Sequence, residues 1–211
     1  RCRSALNAWS KWEKRSDDAK RDAALAAASA RMATAWTAAE ATSTAASVDC
    51  ADTTLDAAAM SALEDAAAAS LATQLNAGLD LGNSAHRHCG ANVLAAAASA
   101  CRKLLVAHGT YVFHPGRDAH ETTRDATLAR VGGKLAAALT HTVTAACPTS
   151  ATPAALRGSV DALVGDVVRN ATVSPNVDTA WTMVTPPTTV DYEGKSLHPI
   201  RGEIFQLAAP A

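Results

Sequence analysis

The chain has 211 residues, of which 52 are Ala and only eight aromatic, with 19 basic side chains against 20 acidic ones. This excludes an aromatic-rich core, and also a β-sandwich or barrel, whose short Val/Ile/Thr strands and regular turns are absent through the first 170 residues. The near-zero net charge argues against a nucleic-acid partner, because neutralising phosphates needs a basic excess.

Alanine favours helix but buries little area per residue, so stability has to come from long helices in close contact, from covalent staples or from subunit contacts. From Ser4 to about Val48 there is no Gly or Pro. Leu6, Trp9 and Trp12, then Leu25, Met32 and Trp36, recur at roughly helical spacing, which predicts one long helix or two joined by a kink. Cys50 and Asp52-Thr53-Thr54 end it and offer caps for a second helix from about Thr54 to Leu79, striped every fourth residue from Leu55. Gly78 to Ser84 closes that helix, and a third runs from near Ser84 to about His108. Gly109 to Arg117, with Tyr111, Phe113, Pro115 and Gly116, reads as an aromatic-rich loop. A fourth helix is expected over Asp118 to Cys147, with Gly132-Gly133 marking a kink or a close helix approach. Thr152-Pro153 opens a fifth that ends near Asn170.

After residue 171 the composition changes: five of the eight prolines lie there and Thr/Val/Pro segments replace the helical pattern. The expected architecture is therefore all-α, an antiparallel bundle of about five Ala-rich helices over 1–170 with an extended Pro/Thr-rich tail over 171–211. No uninterrupted apolar run reaches the roughly 18 residues of a membrane span. The opening Arg1-Cys2 without an initiating Met reads as a processed N-terminus, as after removal of a secretion signal.

Charge is distributed unevenly. The first 21 residues lean basic, whereas no Lys or Arg stands between Arg31 and Arg87, where seven acidic residues do. Solvated helix faces that attract one another account for this more simply than a docking surface.

Cys2, Cys50, Cys89, Cys101 and Cys147 contain no CxxC pair, which excludes a zinc ribbon and a thioredoxin-type motif. Cys2, Cys50 and Cys147 fall at expected helix ends, where bridges tie neighbouring helices, so the pattern points to an oxidising, secreted or periplasmic compartment. With directions alternating from Cys2, one end of the bundle collects Cys2, Cys89 and Cys147, and Cys50 and Cys101 lie towards the other. A Cys50–Cys101 bridge and one bridge among the remaining three are expected.

His86-Arg87-His88-Cys89, with His108, His114 and His120, is the densest cluster of chemistry-bearing residues. Imidazoles suit copper, zinc or haem, which makes a metal or haem carrier one reading. Exposed histidines near helix ends are the other, since His86 and His88 point apart if both are helical. Catalytic motifs fail. His120-Glu121 has Arg124 where a zinc protease needs its second histidine, Gly133-Lys134 is followed by Leu135 and lacks the earlier glycine of a phosphate loop, and no Gly-x-Ser-x-Gly elbow occurs. Asn170-Ala171-Thr172 fits a glycosylation acceptor.

The segment Trp181-Thr-Met-Val-Thr-Pro-Pro-Thr-Thr-Val-Asp-Tyr-Glu-Gly-Lys-Ser-Leu-His-Pro-Ile200 resembles the lead-in to the catalytic domain of bacterial secreted hydrolases of the pectin acetylesterase-like family. In that family an Ala-rich helical region with scattered cysteines can precede an α/β-hydrolase domain. The likeness stops at Arg201, and none of the family's catalytic residues has a counterpart, so it implies a secreted bacterial context and no activity. The sequence reading is a non-catalytic helical structural or binding module. Self-association through alanine faces, or a partner chain contacted by the tail, is its expected mode.

Overall fold

A computed structural model describes residues 1–45, 55–113, 122–144, 147–172, 181–184, 190–192, 195–197 and 204–207. Six helices run through them: α1 (Cys2–Arg15), α2 (Asp18–Ala45), α3 (Ala57–Asn76), α4 (Ser84–Phe113), α5 (Thr122–Thr144) and α6 (Pro153–Thr172). This is the all-α antiparallel bundle expected from the sequence, with one helix more, because the first stretch is two helices and not one.

The break falls at Ser16, which adopts a left-handed backbone (φ 50, ψ 41) while its amide still donates to the Trp12 carbonyl. Asp17 restarts the chain by accepting from the Lys20 amide at 3.0 Å, as a capping side chain does. The corner is closed by aromatics. Trp9 and Trp12 meet edge to face at 5.4 Å, Arg21 of α2 lies over both rings, and the Trp12 indole donates to Asp18 Oδ1.

α4 is the central helix, packed against α1, α3, α5 and α6, whereas α2 packs only on α1 and α3 among the described elements. The core draws Leu71 and Leu75 from α3, Leu94 and Leu104 from α4, Leu135 and Leu139 from α5, and Leu156, Val160 and Leu163 from α6, with buried alanines between them. Ser84–Tyr111 of α4 is the one described stretch long and apolar enough to cross a membrane by length and composition; half of its 18-residue apolar window is buried in the bundle. α4 also runs through Gly109 to Phe113, so Tyr111, expected in a loop, stands on a helix. α5 passes through Gly132-Gly133 unbroken, with the Arg157 guanidinium 2.6 Å from where a Gly132 Cβ would sit. Gly132 thus marks the approach of the Arg157 side chain from α6, while Gly133 faces open space.

The extra turn at Ser16 also changes the cysteine pairing. Reversing direction once more puts Cys2 at the end of the bundle towards which Cys101 points, and Cys101 bridges Cys2 (Cα atoms 6.5 Å apart) and not Cys50. Cys89 bridges Cys147 at the opposite end (5.7 Å). Cys50 lies outside the described residues. The antiparallel run of α1 against α4 is marked further along by Ser10 Oγ donating to the Ala91 carbonyl.

α3 ends in a turn against which the segment leading into α6 is held. The Ser150 amide and hydroxyl both donate to the Ala77 carbonyl, and Thr149 Oγ1 donates to that of Leu75. Gly78 makes this possible, with φ +89 and an imagined Cβ only 2.8 Å from the Pro148 carbonyl oxygen. Gly78→Ala is expected to cost about 2 kcal/mol, from the left-handed backbone plus the clash, read as a lowered urea midpoint with unchanged slope. An unchanged midpoint would show that the turn does not hold this geometry in solution.

In the tail, β1 (Trp181–Val184) pairs antiparallel with β4 (Ile204–Leu207), Trp181 opposite Leu207. Between them in sequence, β2 (Val190–Tyr192) pairs antiparallel with β3 (Lys195–Leu197).

Candidate functional site

The histidine cluster is used up by local structure. His86 Nδ1 accepts from the Asp80 amide at 3.0 Å, Arg87 donates to the Leu81 and Gly82 carbonyls, Asn83 Oδ1 accepts from the Ala85 amide to cap α4, and Cys89 is bridged. His88 is exposed on the same first turn. His108 lies near the other end of α4, 22 residues from His86 and so about 33 Å away along the helix. His86 and His88 therefore cannot share one metal or haem with His108. His114 and His120 lie outside the described residues. Among the described residues, no three His, Cys, Asp or Glu side chains gather as a metal-holding group.

A different feature stands out between α4 and α5. A groove of about 820 Å³, well within the range of ligand sites, runs from Ala96 to Tyr111 on α4 and from Thr123 to Ala138 on α5, with Arg3 of α1 at its side. At 1.5 Å per residue it is about 22 Å long. Its floor is apolar, made by the buried Ala100, Val131 and Leu135. Val106, also in the lining, is 57 % exposed and is the one large hydrophobic residue so exposed among the described residues.

The rim is cationic. Arg3, Arg102, Lys103, Arg130 and Lys134 line it, all exposed, and no acidic side chain joins them. Among the described residues none of these five makes an ion pair. At the far end the Arg124 guanidinium lies 4.7 Å over the Tyr111 ring. Burial and then the Arg124 charge push His108 below its ordinary pKa of 6.5, against the opposing pull of Asp125. His108 is thereby neutral at neutral pH, and the groove's positive charge belongs to its Arg and Lys residues.

The position of Arg124 on Tyr111 fixes the level of the two antiparallel helices. Counting from it sets Lys103 about opposite Gly132 and Ser99 about opposite Ala136. Arg102 and Lys103, Arg130 and Lys134 thus fall within about two helical turns of one another. Arg3 joins them because Cys2, its neighbour, is bridged to Cys101. Sequence reading missed this set. Its signal was available: between Arg102 and Lys134 six basic residues face only Asp118, Glu121 and Asp125, and Arg130 and Lys134 share one helix face without an acidic partner four residues away.

Two buried carboxylates lie elsewhere. Glu13 is 1 % exposed, and its Oε1 accepts from Asn76 Nδ2 at 2.7 Å while Oε2 has no partner. Burial raises its pKa above the ordinary 4.5, partly offset by the Asn76 hydrogen bond. Glu64, 2 % exposed, is raised by burial too, against the positive charges at residue 1 and the Cys2 amide. Beside it, the almost fully buried Arg1 side chain donates to Asp65 Oδ2 at 2.6 Å and to Ser29 Oγ at 2.8 Å.

Both carboxylates tie α3 to the start or end of α1 and do not point into the groove. Because the folded state holds the Glu13 proton more tightly than the unfolded chain does, its contribution is fully present below the unfolded value of about 4.5. It is lost as pH rises through the folded value. Glu13→Gln keeps a hydrogen-bond acceptor for Asn76 and carries no charge. The variant is expected to gain stability relative to the parent between about pH 4 and pH 7, seen in urea midpoints at both. An equal difference at the two pH values would remove the burial argument.

No family model, curated protein or solved structure matches this chain.

Proposed function

We propose that the chain is a non-catalytic, disulfide-stapled helical binding module of a secreted or periplasmic protein, and that it binds its ligand in the α4–α5 groove. The observation that supports this is a set of five cations over an apolar floor, none of which makes an ion pair among the described residues. Uncompensated like charges held within two turns repel one another, a cost that an anionic ligand relieves. Two cysteine pairs at bridging distance fit an oxidising compartment, in keeping with an exported protein. The resemblance of 181–200 to the lead-in of secreted hydrolases adds a context for such a module and no chemistry.

Anilinonaphthalene sulfonate, an apolar dye with one negative charge, is a direct test. It is expected to bind with one-to-one stoichiometry. The double variant Lys103→Glu/Arg130→Glu should weaken it about tenfold or more, whereas Lys14→Glu/Arg15→Glu, on the exposed end of α1, should not. Dye binding that ignores the groove substitutions would sink the reading.

Self-association is a second reading, favoured by one observation. Beyond residue 30, α2 carries a shallow exposed face of Ala33, Thr34, Thr37, Ala38 and Ala41, and among the described elements α2 packs on two helices. Light scattering at high concentration tests it, and a strict monomer would dismiss it.

A further inference from the structure

We infer that the ligand of the α4–α5 groove is an amphiphile with a phosphate head group and a single apolar chain; this rests on the binding-module reading above and specifies it. Three features of the groove carry the inference. The first is the concentration of charge. Arg3, Arg102, Lys103, Arg130 and Lys134 lie at one level, about two turns deep, and none has an ion-pair partner among the described residues. A single carboxylate leaves most of that charge uncompensated. A phosphate monoester carries up to two negative charges and three strong acceptor oxygens, which guanidinium groups grip in pairs. Ser99, on the α4 side of the same level, adds a hydroxyl donor.

The second is what lies beyond the cations. The floor continues past them to Val106 and Ala107, and the side chain of Val106 is left in solvent, unlike every other large apolar residue described. An apolar chain leading away from the head group covers it. A free phosphate would leave that surface wet, and a nucleic acid would need cations spread along a path instead of gathered at one level over alanines and leucine.

The third is size. The groove is about 22 Å long with the cations near its middle, so its apolar end beyond them holds the first several methylenes of a chain. Ala96, Ala100, Ala107 and Ala138 line the groove on both sides of the cations, and their small side chains leave room along it.

Calorimetric titration with a single-chain lysophosphatidic acid below its micellar concentration tests the assignment. Palmitate, the matching uncharged monoacylglycerol and inorganic phosphate form the comparison arms. One lysophosphatidic acid per chain is expected, with the other three at least about tenfold weaker. Lys103→Glu/Arg130→Glu should weaken the lipid at least about tenfold, with the far-ultraviolet circular dichroism unchanged because both side chains are exposed.

Equal binding of monoacylglycerol would overturn the role of charge, equal binding of palmitate the choice of phosphate, and equal binding of free phosphate the need for a chain. A dimer that falls apart on the same double substitution would assign the groove to a second copy. If the anionic dye binds in the groove but lysophosphatidic acid does not, this inference fails while the binding-module reading stands. If neither binds, both fail.

Discussion

Replacing Cys101 by Ala is expected to lower the unfolding free energy by about 3–4 kcal/mol under oxidising conditions, more than any exposed substitution in the bundle. The Cys2–Cys101 bridge closes a sequence separation of 99 residues, against 58 for Cys89–Cys147. In the chain-entropy account the longer loop restrains the unfolded chain more, by about 0.5 kcal/mol between these two lengths. It also holds the element that most needs holding. α1 is only 14 residues long, carries Arg3, Lys11, Lys14 and Arg15, and anchors α2, which packs otherwise only on α3. The check is urea unfolding of the parent, Cys2→Ala, Cys101→Ala and the double variant. If the bridge is the source, all three variants lose the same amount and the double loses no more. Peptide mapping of the intact protein should yield Cys2 linked to Cys101, and a Cys50–Cys101 peptide in its place would refute the pairing. The same loss is expected to reach the groove, because Arg3 is placed beside Arg102 by that bridge.

Ser16 shows why the helix count was legible only in part. Between Ser4 and Val48 no Gly or Pro announces a break, and Ser16-Asp17-Asp18 sits among charged residues that read equally well as a helix surface. Ser and Asp are also cap formers, and here Asp17 acts as one. What decides between the two uses is tertiary: the corner is stabilised by Arg21 returning over Trp9 and Trp12, a contact that periodicity along one helix cannot reveal. That single turn then reversed the end at which Cys2 lies, so a sound rule about alternating directions led to the wrong partner for Cys101. By contrast, α3 and α6 were legible because Leu stripes and the Thr152-Pro153 start are local signals. The histidines attracted attention as residue types, yet His86 serves a turn and His108 stands 22 positions along. The groove escaped notice because its cations come from three helices, and only the level of α5 against α4 brings them together.

Leu94→Ala is expected to cost about 4 kcal/mol, towards the upper end of the range for a buried leucine. Leu94 is fully buried on the central helix, and it shares the core with Ala68, Ala72, Ala97 and Ala98, each 1 % exposed or less. In a core rich in long side chains, neighbours swing into the space left by a truncation and recover part of the loss. Alanines have no rotamers with which to do so, and their helices are held in place by two bridges, so most of the cavity stays open. The composition that opened the sequence reading thus has a consequence for sensitivity: a quarter of the residues being Ala concentrates the burial energy in a few leucines and valines. Val106→Ala provides the contrast, since the same chemistry at a position 57 % exposed should change stability by no more than about 0.5 kcal/mol. Guanidinium unfolding of the two variants side by side checks both values, and a loss below about 1 kcal/mol at Leu94 would show that the alanine core can collapse after all. Val106→Ala, stable as it should be, is then also the cleaner probe of the groove. Any weakening of lysophosphatidic acid binding in that variant reports contact with the apolar chain and not damage to the fold.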